Sequence, residues 1–342
     1  MPMLPDWPTY LGAPQARGRL RSVPEDFEVE EQFDVEFSLD GEFDWLWVEK
    51  RGNNTEYVAR RIADLAGVSL KAVTYSGLKD RHALTRQWFC VHLPGKQGRD
   101  WDDIAELSDD SFWKVQRWGR HRQKLRPGSH RANRFVIRLR EVVGDRDDID
   151  RRLKVLCAGY PNYFGEQRFG HEGANIEQCR AWFEGESKPQ RFQRSIYLSS
   201  ARSYLFNEVL ALRLQAGTWL SPLEGELYSL RDSGSVFAAE PDEDIEKRIA
   251  EGDIHPSGPL FGKVARHSVT AEVDAIEQSV FAAHKTLCDG LLRHGMKMER
   301  RSLRVVPKEL CWQWLSDDQL QLQFSLPSGC FATALVREFI NA

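Results

Sequence analysis

Residues Tyr75–Gly95, YSGLKDRHALTRQWFCVHLPG, constrain this chain more than any other stretch. They place one carboxylate, Asp80, at the tip of a glycine-containing turn between Lys79 and Arg81, with His82 adjacent. Cations within a few ångströms favour the charged form of an aspartate, so the sequence predicts an ionised group able to act as nucleophile or general base. Gln87–Leu93 is aromatic and β-branched and predicts a strand. The turn is thereby tied to a sheet, which is how a loop residue comes to hold a fixed position. For an isolated Lys-Asp-Arg triplet the plainer reading is a salt-bridged turn without chemistry, and the rest of the chain has to decide between them.

At 342 residues, 41% of them apolar, the chain exceeds the comfortable size of one domain and predicts two. No apolar run approaches the length of about 18 residues that a membrane helix needs. The opening MPMLPDWPTYLG lacks the pattern of a secretory signal, so a cytoplasmic protein is expected. The six cysteines contain no CxxC pair and the nine histidines no HExxH spacing, so neither a metal site nor disulfides are expected. Neither a GxxxxGK[ST] nor a GxGxxG fingerprint occurs, and a cofactor-free reaction is the simpler inference.

The net charge of −4 hides a strong local field. Ser111–Arg140 holds ten bases and no acid, flanked by the acidic stretches Asp102–Asp110 and Glu141–Asp150. A solvated, salt-bridged face is the ordinary fate of such a run. We read it instead as a phosphate-contacting segment, because arginine forks match phosphate geometry and Phe112, Trp113, Trp118 and Phe135 are interleaved with the bases. Unpaired bases are most accessible in folded RNA, which makes RNA the expected partner.

Along the chain, Asn54 or Thr55 caps a helix to about Ala66, with Val58, Ile62 and Leu65 inward and Gly67 as its stop. Leu46–Val48 and Phe135–Leu139 read as strands, the second turning Phe135, Ile137 and Leu139 to one side. From about Tyr160 the pattern becomes helical, with helices expected at Ser203–Gln215, Pro241–Ala250 and Thr270–Arg293. Val305–Val306, Leu310–Leu315 and Leu320–Leu326 return to strand-like runs, which predicts that the final strands rejoin the N-terminal sheet around an inserted domain.

GLKDRHALTRQWF resembles the catalytic-aspartate motif of the TruD family of tRNA pseudouridine synthases. The similarity continues, in the family's order, through PEDFEVEE (24–31), the Asn53–Thr55 run, KLRPGSHRANRF (124–135), PNYFGEQRFG (161–170), LSSARSYLFN (198–207) and LPSGCFATALVREF (326–339). Seven blocks spread over nearly the whole chain are far more specific than one short motif. The resemblance implies an α+β fold: a pseudouridine synthase catalytic domain with a mixed, largely antiparallel sheet over residues 1–158 and 306–342, and an inserted α/β TRUD domain over 159–305. It implies conversion of uridine to pseudouridine in tRNA, at position 13, by an aspartate without cofactor. Its catalytic residue falls on Asp80, and its substrate contacts fall on Phe27, Asn133 and Phe331.

Breaking the N1–C1′ bond, turning the uracil and rejoining it through C5 needs an ionised carboxylate, rings that retain the freed base, and binding energy to extrude the nucleotide. Asp80 can attack C1′, add to the base or abstract a ribose proton, and the sequence does not separate these roles. Phe27 and Phe331 would wall the pocket, the Asn133 amide can both donate to and accept from a uracil edge, and Phe135 would stack on the base. The family commonly has Lys where this chain has Arg21; a cation able to pair with Asp80 is kept, with altered geometry. PNYFGEQRFG, with Tyr163, Arg168 and Phe169, is expected at the hinge into the inserted domain. The rival reading is a non-catalytic RNA-binding protein on the same fold.

Overall fold

Alternation of apolar and polar residues builds the larger sheet from its centre outward. The computed structural model describes residues 4–38, 40–95, 97–126, 128–231, 233–264 and 268–342; Met1–Met3 of the N-terminal stretch and Pro127 of the 124–135 block lie outside them. The chain forms two compact units, each treated by itself: a sheet unit of Ala16–Asp145 with Pro307–Gly329, and a helical unit of the residues up to Gln15 with Arg146–Val306 and Cys330–Asn341. These bounds differ from the expected 159–305 insertion, since the helical unit also takes in both ends of the chain.

In the sheet unit the strands are β1 (Arg17–Leu20), β2 (Phe27–Gln32), β3 (Phe43–Arg51), β4 (Val73–Tyr75), β5 (Leu84–His92), β6 (Ala105–Leu107), β7 (Phe112–His121) and β8 (Ala132–Val143), with helix α1 (Thr55–Ala66) after β3. On β8, Asn133, Phe135, Ile137 and Leu139 are buried and the residues between them are half-buried, the period-2 pattern of a strand covered on one face. Leu46, Val48, Phe89 and Val91 form a core with Val58 and Ile62 of α1, while Trp45, Trp88 and Cys90 pack on the opposite face of the same strands. Gly67 ends α1 at φ 63°, a left-handed conformation that glycine adopts without a Cβ penalty.

The helical unit contains α2 (Arg146–Leu156), β9 (Tyr160–Pro161), α3 (Ala174–Glu184), α4 (Arg191–Gln215), β10 (Leu227–Leu230), β11 (Val236–Ala238), α5 (Glu243–Glu251), β12 (Ile254–Leu260), α6 (Ala271–Ala283), α7 (Lys285–Arg293), β13 (Glu299–Ser302) and β14 (Arg304–Val305). Its four-stranded sheet runs β11-β10-β12-β13, all antiparallel. The chain then returns to the sheet unit with β15 (Lys308–Ser316) and β16 (Gln319–Pro327), and ends on α8 (Ala332–Val336) of the helical unit. The larger sheet has the order β15-β16-β8-β2-β5-β3-β7-β6, with β1 beside β8 and β4 beside β5; only the β2–β5 pair is parallel. The final hairpin does rejoin the N-terminal sheet, through β16 against β8.

Four expectations need correction. Helix α4 starts at Arg191 rather than Ser203, because Gln190 and Gln193 form a capping box ahead of the apolar run. Thr270–Arg293 is broken at His284, which leaves helical geometry (φ −120°, ψ 40°), packs on Tyr204 and lies 3.5 Å from Glu208. Of Val305–Val306, only Val305 is in a strand, and β14 pairs with β9 inside the helical unit. Pro161–Gly170 lies within that unit as well, past the crossing point near residue 145, although Pro161 pairs with Arg304 close to the one near residue 306.

Gly290 offers a test of helix packing. A Cβ there would lie 2.0 Å from the ring of Phe183 on α3. A helical Gly→Ala change ordinarily stabilises by about 1 kcal/mol. Gly290→Ala is expected to destabilise by about 1–3 kcal/mol, read as a lower urea midpoint.

Candidate active site

Asp80 rides on the loop between β4 and β5, and nearly every polar group beneath that loop is spoken for. Gln87 on β5 donates to Gly77 O at 2.9 Å, and its Oε1 meets the Thr55 hydroxyl of α1 at 3.0 Å. Thr55 Oγ1 in turn accepts the Lys79 N–H at 3.0 Å. Gly52 N–H donates to Arg81 O at 2.9 Å. The buried Lys50 ammonium on β3 donates to Asp80 O at 3.2 Å, Lys79 O at 3.4 Å and Asn53 O at 3.0 Å. Glu31, fully buried on β2, pairs with Lys79 Nζ at 2.8 Å and accepts the Trp88 N–H at 3.0 Å.

The cations beside Asp80 in the sequence are not its ion partners. Lys79 turns inward to Glu31, and Arg81 Nε bonds His82 Nε2 at 2.8 Å. Asp80 Oδ1 accepts the His82 backbone N–H at 2.9 Å, closing an Asx-type turn, while Oδ2 lies 3.4 Å from Arg21 Nη2. With 30% of its side chain exposed, Asp80 is held yet reachable.

Arg21 carries three marks of a constrained residue. Its φ is 61°, in the left-handed region, which costs a non-glycine residue of order 1 kcal/mol. Its guanidinium lies 4.2 Å over the Phe27 ring, and its buried Nε lacks a hydrogen-bond partner among the described residues. Strain and an unmade hydrogen bond in one residue direct attention to function.

Behind Arg21 the rings continue inward. Phe27 meets Phe135 edge-on at 6.1 Å, and Phe135 stacks on Phe324 of β16 at 5.4 Å. Phe135, expected to stack on a substrate base, already has a protein ring on one side and is 6% exposed. Asn133, opposite Glu31 in the β2–β8 register, is buried with Nδ2 3.3 Å from His130 Nε2 and with Oδ1 unpartnered among the described residues. Burial first, then the charge of Lys79, lowers the His130 pKa. Five of the six expected site residues thus share the sheet unit. Phe331 belongs to the helical unit, where it precedes α8 and meets the Phe164 ring at 5.8 Å. Gly165 of PNYFGEQRFG is needed there, since a Cβ would come within 3.0 Å of the Phe331 ring.

The ten-base segment is not one patch. It spans β7 and β8, which the sheet order separates by β2, β5 and β3, and the neutralising acids lie on β3 or just before β2 and β3. Lys114 pairs with Glu49 at 3.0 Å, and Arg120, Arg122 and Arg140 pair with Asp44, Asp40 and Asp26 at 2.8 Å each. Arg117 lies over Trp88 and Arg138 bonds Gln321. Lys124, Arg126 and Arg131 are exposed and Arg134 is half-buried, and among the described residues none of the four forms an ion pair. The ten bases therefore do not form one surface, and most of them are engaged within the protein.

Sequence reasoning gave Lys50, Thr55, Glu31 and Gln87 no part in holding the loop. Three lie in blocks already singled out, and the fourth, Lys50, sits between Glu49 and Arg51 at the charged end of β3, where nothing in the sequence sets it apart. The buried Glu31–Lys79 pair is testable: Glu31→Ala strands a buried ammonium, and a loss of about 3–5 kcal/mol in chemical denaturation is expected.

The sequence model described as tRNA pseudouridine synthase D (TruD) matches residues 9–178 and 186–339. A relative from Pseudomonas fluorescens (strain Pf0-1), called tRNA pseudouridine synthase D, is 47% identical over 324 residues, covering 94% of this chain and 91% of that protein. One of the same name from Stutzerimonas stutzeri (strain A1501) is 47% identical over 336 residues, covering 98% and 96%. A Methanosarcina mazei crystal structure described as TruD superposes with a TM-score of 0.70 at 21% identity, covering 99% of this chain and 95% of that one, a likeness of fold. The match along almost the full length leaves one conclusion: this chain belongs to the TruD family of tRNA pseudouridine synthases.

Proposed function

We infer that this chain is an isomerase that converts uridine to pseudouridine in tRNA, and we propose that it acts at position 13 with Asp80 as the reacting carboxylate. The observation that carries the choice of Asp80 is its setting: a half-exposed carboxylate on a loop whose backbone is fixed from below, facing the strained Arg21 at 3.4 Å. The reaction breaks N1–C1′ and forms C5–C1′; N1 gains a proton and C5 loses one. Atoms and electrons balance within the substrate, so the proposal invokes no cofactor.

In this reading Arg21 steadies the Asp80 anion. Phe27 and Phe135 line the base side within the sheet unit. The unpartnered Asn133 Oδ1 is the acceptor that a uracil imino N–H would satisfy once binding uncovers it. Lys124, Arg126, Arg131 and Arg134 would contact phosphates. We place the protein in the cytoplasm, where tRNA is available; no helix among the described residues is long and apolar enough to cross a membrane.

The test uses unmodified tRNA tritiated at uracil C5. Wild type should release tritium once per modified site, a tRNA lacking uridine at position 13 should give none, and Asp80→Asn should bind the substrate yet release nothing measurable. Release retained by Asp80→Asn removes that residue from the chemistry. Binding without release by the wild type, on every tRNA tried, would favour a non-catalytic RNA-binding protein.

A further inference from the structure

Lys50 occupies a place that a lysine holds only at a free-energy cost. It is fully buried on β3, and its three ammonium hydrogens match the three carbonyls of Asn53, Lys79 and Asp80 at 3.0, 3.4 and 3.2 Å. Among the described residues no carboxylate is within ion-pair distance of it, and a cation removed from water without a counter-ion is destabilising. Thr85 and Trp113, opposite it on β5 and β7, are uncharged. The charged groups that act on it come from the loop: Asp80, which favours its protonation, and Lys79, which opposes it and is itself paired with Glu31. Burial brings the Lys50 pKa down to about 8 against the pull of Asp80.

Methionine would fill this space without the penalty. It could not hold two successive carbonyls of the peptide that carries Asp80. We propose that Lys50 is a positioning residue for the isomerisation: its ammonium pins the Lys79–Asp80 peptide, fixes the direction of the Asp80 carboxylate, and adds a positive charge to that of Arg21. Deprotonation removes one donor and that charge together, so the rate depends on Lys50 remaining an ammonium.

This inference rests on Asp80 being the reacting group, and the experiment separates the two claims. Tritium release is measured in single turnovers with enzyme in excess, and tRNA affinity by filter binding, for wild type, Lys50→Met, Lys50→Arg and Asp80→Asn. Lys50→Met should bind tRNA within about threefold of wild type and react about 100-fold more slowly, the scale of a misplaced reacting group. The wild-type rate should fall above about pH 8, and that limb should be absent in Lys50→Arg, whose guanidinium does not titrate there. A Lys50→Met rate within about threefold of wild type, with Asp80→Asn inactive, overturns the role of Lys50 and leaves Asp80 standing. Release retained by Asp80→Asn overturns the reading of Asp80 instead. Should Lys50→Met fail to fold, the wild-type profile decides, and a rate flat from about pH 7 to about pH 9.5 overturns the proposal.

Discussion

A carboxylate open to solvent reacts in a defined direction only when the backbone beneath it is held by groups for which water cannot compete. In this chain those groups are buried and polar: Lys50, Thr55, Glu31 and Gln87 from β3, α1, β2 and β5 converge on the eight-residue loop that carries Asp80. Unsatisfied, each would destabilise the core. Satisfied by loop carbonyls, loop amides and the inward-turned Lys79, they make the loop's conformation a condition of the fold. The parallel β2–β5 neighbourhood matters here, because it sets Glu31 under the loop while β5 leads away from it.

Charge is organised on the same plan. The sequence gathers cations around Asp80 and along Ser111–Arg140, yet folding redistributes both sets. Lys79 is spent on Glu31, and Arg21, 59 positions away in the chain, supplies the ion partner across the loop. Asp26, Glu49 and Asp44 on or beside the strands between β7 and β8 take up Arg140, Lys114 and Arg120. The bases left over cluster on the loop entering β8 and at the start of that strand, close in sequence to Asn133. A net charge of −4 is therefore compatible with an RNA ligand, since the field that matters is local.

Much of the architecture was legible in the residues. The alternation at Phe135–Leu139 marked a strand with one buried face, Gly67 marked the end of α1, and the strict alternation near the C-terminus marked the strand that returns to β8. The blocks shared with the TruD family pointed to the fold and the activity that the relatives bear out. The start of α4 and the break at His284 were missed because a side-chain capping box and one tertiary contact decided them, and neither leaves a periodic signal.

Composition and order along the chain fixed which residues are strand-forming, which turns need glycine, and that one aspartate stands in a turn rich in cations. They could not fix which cation faces that aspartate, because ion pairing depends on distance in space and the neighbours in sequence point to opposite sides of the loop. Nor could they set Lys50 apart from Glu49 and Arg51, the charged residues on either side of it in β3. Only the packing of β2, β3, β5 and α1 around a single loop turns that buried ammonium toward the carbonyl of Asp80, since the free energy of burying it is offset by hydrogen bonds that exist nowhere but in the folded chain.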